Sequence, residues 1–127
     1  MPLVRISLPQ NTHPSDVMAV SAAIHRALVA TFNVPEPDRF QAIHSHSPHE
    51  LVCTSGFLGV SHSDNVVFVQ ISCSSGRSLD TKKALYAKIA ADIALASSFK
   101  AEDVIINLLE TSRENWSFGL GIAQYAI

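Results

Sequence analysis

The feature that most limits how this chain can fold is an internal repeat: its two halves follow one plan. Leu3 to Leu8 alternates in part and reads as a strand starting at the N-terminus. A turn-rich stretch from Pro9 to Pro14 follows, and Ser15 and Asp16 offer N-cap chemistry for a helix. Val17, Val20, Ile24, Leu28 and Thr31 give that helix one apolar face, and Pro35 and Pro37 end it. Phe40 to His44 reads as a second strand and Glu50 to Ser55 as a short third. The second half begins again with the β-branched run Asn65 to Cys73, a turn through Gly76, and a helix capped by Ser78 or Asp80. Leu85, Ile89, Ile93 and Ala96 supply its apolar face, and Val104 to Leu109 is another strand. Ser15 and Ser78 stand 63 positions apart, and Asp38 and Asp103 stand 65 apart, each ahead of a strand.

Two β-α-β units, each with a right-handed crossover if its strands are parallel, make a four-stranded sheet with two helices on one face. The expected class is α/β, drawn as an α+β sandwich. The expected organisation is one domain over residues 1–127, with repeat halves of about 1–62 and 63–127. A largely parallel sheet tends to be covered on both faces. The chain holds no further helix for the second face, so a partner copy is the economical cover.

Composition narrows the function classes. Hydrophobic residues make up 47% of 127 and charged residues 16%, which is the balance of a packed domain rather than a disordered chain. A chain so short and apolar buries part of its surface most economically against copies of itself. The net charge of −2, with no Lys/Arg cluster, argues against a nucleic-acid partner. Two cysteines, Cys53 and Cys73, are too few for a disulfide framework and point to a reducing compartment. The first residues lack the pattern of a signal peptide, and no apolar run reaches the ~18–20 residues of a membrane span. The expectation is a cytoplasmic protein with no membrane partner.

Few residues carry chemistry. Pro2 follows Met1, and methionine before a small residue is usually excised, leaving a secondary amine. Buried among apolar neighbours such an amine loses basicity and serves as a general base; kept cationic, it serves as an acid and anchor. The plainer reading is a proline tolerated at a strand start. Asp38, at a strand entrance after Pro35-Glu36-Pro37, can handle a proton or polarise water, or can simply be a turn residue. Arg77, in a glycine-containing turn before a helix N-terminus, suits a carboxylate, with Ser78 and the helix amides reinforcing it; otherwise it is a solvated loop arginine. Trp116, Phe118 and Tyr125 lie on a glycine-rich tail and can wall an apolar pocket or anchor an interface. His44, His46 and His49 fall within six residues, yet no cysteine or carboxylate completes a ligand set before Glu50 and Pro48 breaks the strand; surface histidines are preferred to a metal site.

Taken together, these residues resemble the tautomerase superfamily, and within it the malonate semialdehyde decarboxylase-like group. The resemblance spans the whole chain. Its markers are Met-Pro before a strand, Val34 to Gln41, Gly76-Arg77-Ser78 opening the second helix, and Asn115-Trp116-Ser117-Phe118-Gly119. It implies β-α-β repeats assembled as a homotrimer, with no metal or organic cofactor. It also implies Pro2 as the catalytic amine, Asp38 as its partner in proton handling or water activation, and Arg77 as a catalytic group and carboxylate binder. Trp116, Phe118 and Tyr125 would then line the apolar wall around the substrate. One departure stands out: the decarboxylases look to carry two arginines flanking a proline where this chain has Ser74-Ser75-Gly76-Arg77, and Ser75 takes the place of the first.

The leading expectation is therefore an enzyme that acts on a small oxo acid through Pro2. It would be malonate semialdehyde decarboxylase-like, with keto–enol tautomerase and hydratase capacity. The alternatives are a tautomerase of a 2-oxo acid without decarboxylase function, a trimeric binding protein without chemistry, and a metal enzyme built on the 44–49 histidines.

Overall fold

The computed structural model describes residues 1–126. Strand β1 (Leu3–Pro9) leads into helix α1 (Pro14–Phe32) and strand β2 (Phe40–His46). A short hairpin, β3 (Gly56–Phe57) and β4 (Val60–Ser61), precedes β5 (Val67–Ser74), α2 (Leu79–Ala96) and β6 (Val104–Thr111). The four long strands form one sheet in the order β2-β1-β5-β6. Strands pair in parallel within each repeat, while β1 and β5 meet antiparallel at the centre. The sheet is thus mixed rather than largely parallel: two parallel units are joined along an antiparallel seam.

Alternation along the central strands sorts the two faces. Val4, Ile6 and Leu8 of β1, with Val67, Val69, Ile71 and Cys73 of β5, are at most 1% exposed. They pack under Val20, Ile24 and Leu28 of α1 and Leu85, Ile89 and Ile93 of α2. A uniform spacing of four residues puts each of those triplets on one helical stripe. Truncating a core side chain such as Ile89 to alanine costs about 2–5 kcal/mol. Among the described residues the opposite face of the sheet carries no α-helix, and Leu3, Phe40 and Leu109 are left about 40% exposed there.

A shift of 65 positions carries one repeat onto the other. It places the caps His13 and Ser78 together, then Val20 with Leu85, Ile24 with Ile89, Leu28 with Ile93, and Val34 with Phe99. The expected match of Ser15 to Ser78 is therefore two residues out of register. His13, not Ser15 or Asp16, caps α1: its ring accepts the Ser15 N–H at 3.1 Å, and Pro14 takes the first turn, where its missing N–H costs nothing. Ser78 caps α2 by accepting the Thr81 N–H at 3.2 Å. Helix α1 ends at Asn33, left-handed at φ 55°, before Pro35 is reached. Ala96 is exposed rather than part of the apolar face of α2. The expected strand over Glu50–Ser55 does not form. A strand pair forms just beyond it, because Leu58 (φ 49°) and Gly59 (φ 82°) supply the two left-handed residues of a tight hairpin turn.

Candidate active site

The topology gathers distant segments at one end of the sheet. Because β1 and β2 run parallel, the start of β1 lies beside the start of β2, with Leu3 paired to Phe40. Because β5 runs the other way, its last residues arrive at the same end, with Leu3 opposite Ser72. Parallel to β5, β6 also finishes there, with Ser74 paired to Thr111. Pro2, Asp38, the 74–78 turn and the tail after Thr111 therefore converge. Strand direction achieves this across more than 100 residues of sequence.

Pro2 is buried at the head of central strand β1. The terminal amine, carried here by Met1, lies 3.8 Å from Asp38 Oδ2. The other carboxylate oxygen of Asp38, Oδ1, is buried without a hydrogen-bond partner. Such an atom is costly to leave unsatisfied in a finished structure, which marks it as a place where a ligand or a proton belongs. The Asp38 N–H donates to Pro35 O at 2.9 Å, closing the turn that presents the carboxylate. Buried His25 on α1 meets Glu36 O through Nε2 at 2.7 Å and ties the same turn to the helix.

Arg77 is half-buried and held in a fixed pose. Its guanidinium donates to Ser74 O at 3.0 Å and Phe32 O at 3.3 Å, and its Cζ stands 4.4 Å from the centre of the Phe32 ring. Among the described residues no carboxylate pairs with it, and a guanidinium carries five N–H donors, so several remain for a ligand. Ser78 does not join it as a ligand group, because its hydroxyl is committed to the α2 cap. Behind the turn, Glu110 accepts from Lys82 Nζ at 2.7 Å, and that hydrogen bond, with the Lys82 charge and the Gly76 N–H, holds its carboxyl below the usual range. Burial pushes the Cys73 thiol up, opposed by the charges of Arg77 and the terminal amine.

The tail folds back as an aromatic wall. Trp116 donates its indole N–H to Thr111 Oγ1 at 2.6 Å and stacks on Phe118, with ring centres 5.5 Å apart. Phe118 meets Phe40 at 6.0 Å, and Phe40 pairs with Leu3 directly after Pro2. Tyr125 meets the edge of Phe118 at 5.1 Å but is 40% exposed, a step further from the amine. Left-handed Gly119, Leu120 and Gly121 turn the chain so that Gln124 can accept the Phe118 N–H at 2.9 Å. Phe40 and Thr111 escaped sequence reasoning; the strand register alone links them to Pro2. The 44–49 histidines lie on the far part of β2 and its loop, and among the described residues no three His, Cys, Asp or Glu side chains are grouped to hold a metal.

Against known proteins, two models described as tautomerase enzyme match the chain, one over residues 38–119 and the other over residues 2–54. The chain belongs to the tautomerase family. Probable tautomerase YusQ of Bacillus subtilis is 34% identical to this tautomerase over 124 residues, 98% of each chain. Two solved structures resemble it throughout. FG41 malonate semialdehyde decarboxylase inhibited by 3-bromopropiolate has a TM-score of 0.90 at 33% identity, covering 97% of this chain and 93% of that one. A malonate semialdehyde decarboxylase studied as wild-type, mutant and inactivated enzyme has a TM-score of 0.88 at 31% identity, covering 97% and 95%. Within the family, this tautomerase therefore falls in the malonate semialdehyde decarboxylase-like group.

Proposed function

We propose that this tautomerase is a cofactor-independent enzyme that acts on a small oxo acid, with Pro2 as its catalytic amine once Met1 is removed. The observation that carries the proposal is the terminal amine 3.8 Å from Asp38, whose second oxygen is buried and unpaired. Hydrolysis of the Met1–Pro2 peptide bond removes Met1 with its own amine and frees the Pro2 ring nitrogen, at the head of β1, as the new terminal amine. Arg77 supplies a fixed cation for the substrate carboxylate, and Phe40, Trp116, Phe118 and Tyr125 supply an apolar wall.

For a 3-oxo acid such as malonate semialdehyde, the reaction follows from this arrangement. Arg77 holds the carboxylate, and the Pro2 ammonium donates a hydrogen bond to the carbonyl oxygen. The bond between carboxylate and methylene carbon breaks, carbon dioxide leaves, and the electron pair of that bond passes into an enolate stabilised by the two cations. The Pro2 ammonium passes its proton to that carbon, which completes the aldehyde, and a proton from water restores the ammonium. Asp38 faces the amine and can orient a water for hydration of an acetylenic acid.

A second reading is a 2-oxo acid tautomerase, in which neutral Pro2 shuttles a proton between oxygen and carbon. The single arginine of the 74–78 turn favours it, because one guanidinium stabilises enolate charge less than two. A third reading, a binding protein without chemistry, is separated from both by catalysis itself. The likeness to malonate semialdehyde decarboxylases supports the first reading most directly.

A homotrimer in the cytoplasm accompanies the proposal. The sheet face without helices offers surface for copies of the chain, as does the apolar segment bearing Val52 (78% exposed), Phe57 (63%) and Leu58 (88%). Among the described residues no helix is long and apolar enough to cross a membrane. The deciding experiment assays wild type and Pro2→Ala in parallel on malonate semialdehyde and an enol-pyruvate. Loss of turnover in the variant is expected, and equal rates would remove Pro2 from the mechanism.

A further inference from the structure

The helix-free face of the sheet is apolar at one end and polar in its middle. Strand register sets Arg5 beside Gln70, and Gln70 beside Asn107, in one row across β1, β5 and β6. The next row sets His44 beside Ser7. These side chains line a cavity of about 470 Å³ that His46 closes at one side, its ring centre 6.4 Å from that of His44. The Gln70 amide donates to Asn107 Oδ1 at 3.4 Å, which leaves the Asn107 amide N–H groups free to face a ligand.

The electrostatics of this cavity are one-sided. Arg5 is exposed and has no carboxylate partner among the described residues. No Asp or Glu lines the cavity. His46 Nε2 is buried and has no hydrogen-bond partner. A guanidinium, two imidazoles, a hydroxyl and two amides thus share the lining with Phe68, Val69 and Ile105, and among the described residues none of the lining groups is acidic. If copies of the chain cover this face, the need increases, because a guanidinium taken out of water without a counter-charge is costly.

The structure assigns to this cavity a second binding site, for a small oxyanion held by Arg5 with His44, Ser7 and Asn107. It is distinct from the site at Asp38 and Arg77. Arg5 and Ser7 lie three and five positions along β1 from Pro2, roughly 10–16 Å at strand rise, and the β2 contributors lie towards the far end of that strand. The chemistry fits carboxylate or phosphate equally, since guanidinium binds either with two parallel hydrogen bonds.

The test titrates the assembled wild-type protein with inorganic phosphate and, separately, with acetate, following backbone amide resonances. Saturable shifts at Ser7, Ala42 to His44 and Phe68 to Gln70 are expected, and the tighter of the two ligands identifies the anion class. Arg5→Gln is expected to weaken binding at least tenfold while the protein keeps its assembly state, checked by its sedimentation beside wild type, so that a loss of binding reports the guanidinium and not the fold. His44→Gln tests the imidazole contribution by the same readout. Shifts confined to the Arg77–Leu79 turn, no saturation by either anion, or equal affinity in Arg5→Gln would overturn the assignment.

Discussion

Asp38 and Asp103 occupy the same place in the two repeats, 65 positions apart, yet only Asp103 is fully satisfied. Asp103 is 2% exposed and accepts both the Ser63 N–H, at 2.8 Å, and the Ser63 hydroxyl, at 2.6 Å. Asp38 faces the terminal amine and keeps Oδ1 buried and unpaired. The same shift places Val67 where Pro2 stands and Thr12 where Arg77 stands. One end of the pseudo-symmetric fold thus has an amine, a carboxylate and a guanidinium, while the other has a closed structural contact.

That contrast predicts opposite consequences for one kind of substitution. Asp103→Asn removes the charge and leaves one accepting oxygen for the two Ser63 donors, and is expected to lower stability by about 1–3 kcal/mol with little change in kcat. Asp38→Asn is expected to leave the melting temperature unchanged and lower kcat by about 10²-fold or more. Thermal unfolding and steady-state kinetics on both variants check this. A kcat loss in Asp103→Asn matching that of Asp38→Asn would contradict it.

Pro2→Ala retains a terminal amine but loses the secondary amine and its rigid ring. Turnover is expected to fall by about 10²-fold. Intact mass should show Met1 absent from both proteins, so that the comparison concerns the ring alone. Retention of Met1 in an active wild-type protein would exclude every mechanism that runs through the proline nitrogen.

Arg77→Lys keeps the positive charge and removes the planar fork that now spans Ser74 O and Phe32 O. KM for a carboxylate substrate is expected to rise about tenfold, the equivalent of one charge-assisted hydrogen bond. An ester of the same substrate, lacking the negative charge, should lose the discrimination between the two proteins. Equal KM values for the acid would place the carboxylate elsewhere.

The Lys82–Glu110 pair predicts how the Arg77 turn responds to pH. The Glu110 carboxyl is held low, first by the Lys82 hydrogen bond, so its contribution is complete above the ordinary Glu range near ~4.3 and is lost as pH falls through the lowered value. Lys82 is held high by the same contact, so its contribution is complete below about 10.4 and is lost as pH rises through the raised value. Glu110→Gln should flatten the acid limb of the stability profile while leaving neutral pH nearly unchanged, as expected for an exposed pair. A series of melting temperatures from acid to neutral pH reads this directly.

Local patterns exposed much of the architecture. The four-residue spacing of Val20, Ile24 and Leu28, and of Leu85, Ile89 and Ile93, marks both helices, because an amphipathic stripe is a property of neighbouring residues. The β-branched run before Cys73 marks β5 for the same reason. The strand expected over Glu50–Ser55 fails because its residues find no partner strand, whereas Leu58 and Gly59 allow a tight turn just beyond it. The cap of α1 is hidden from the sequence because a histidine ring takes the place usually held by Ser or Asp.

The order of the two helices and four long strands, the two-fold repetition, and, through the family resemblance, the prominence of Pro2, Asp38 and Arg77 were therefore legible in the sequence. Only the tertiary structure decided the 65-residue register, the antiparallel seam between β1 and β5, and the gathering of those three residues with Phe40 and Phe118 at one sheet end. It also decided that Asp38 stays unpaired while Asp103 is saturated. The reason is range: periodicity and capping act within one or two turns of chain. Strand direction and side-chain pairing join residues tens of positions apart, and they are settled only when the sheet closes on its core.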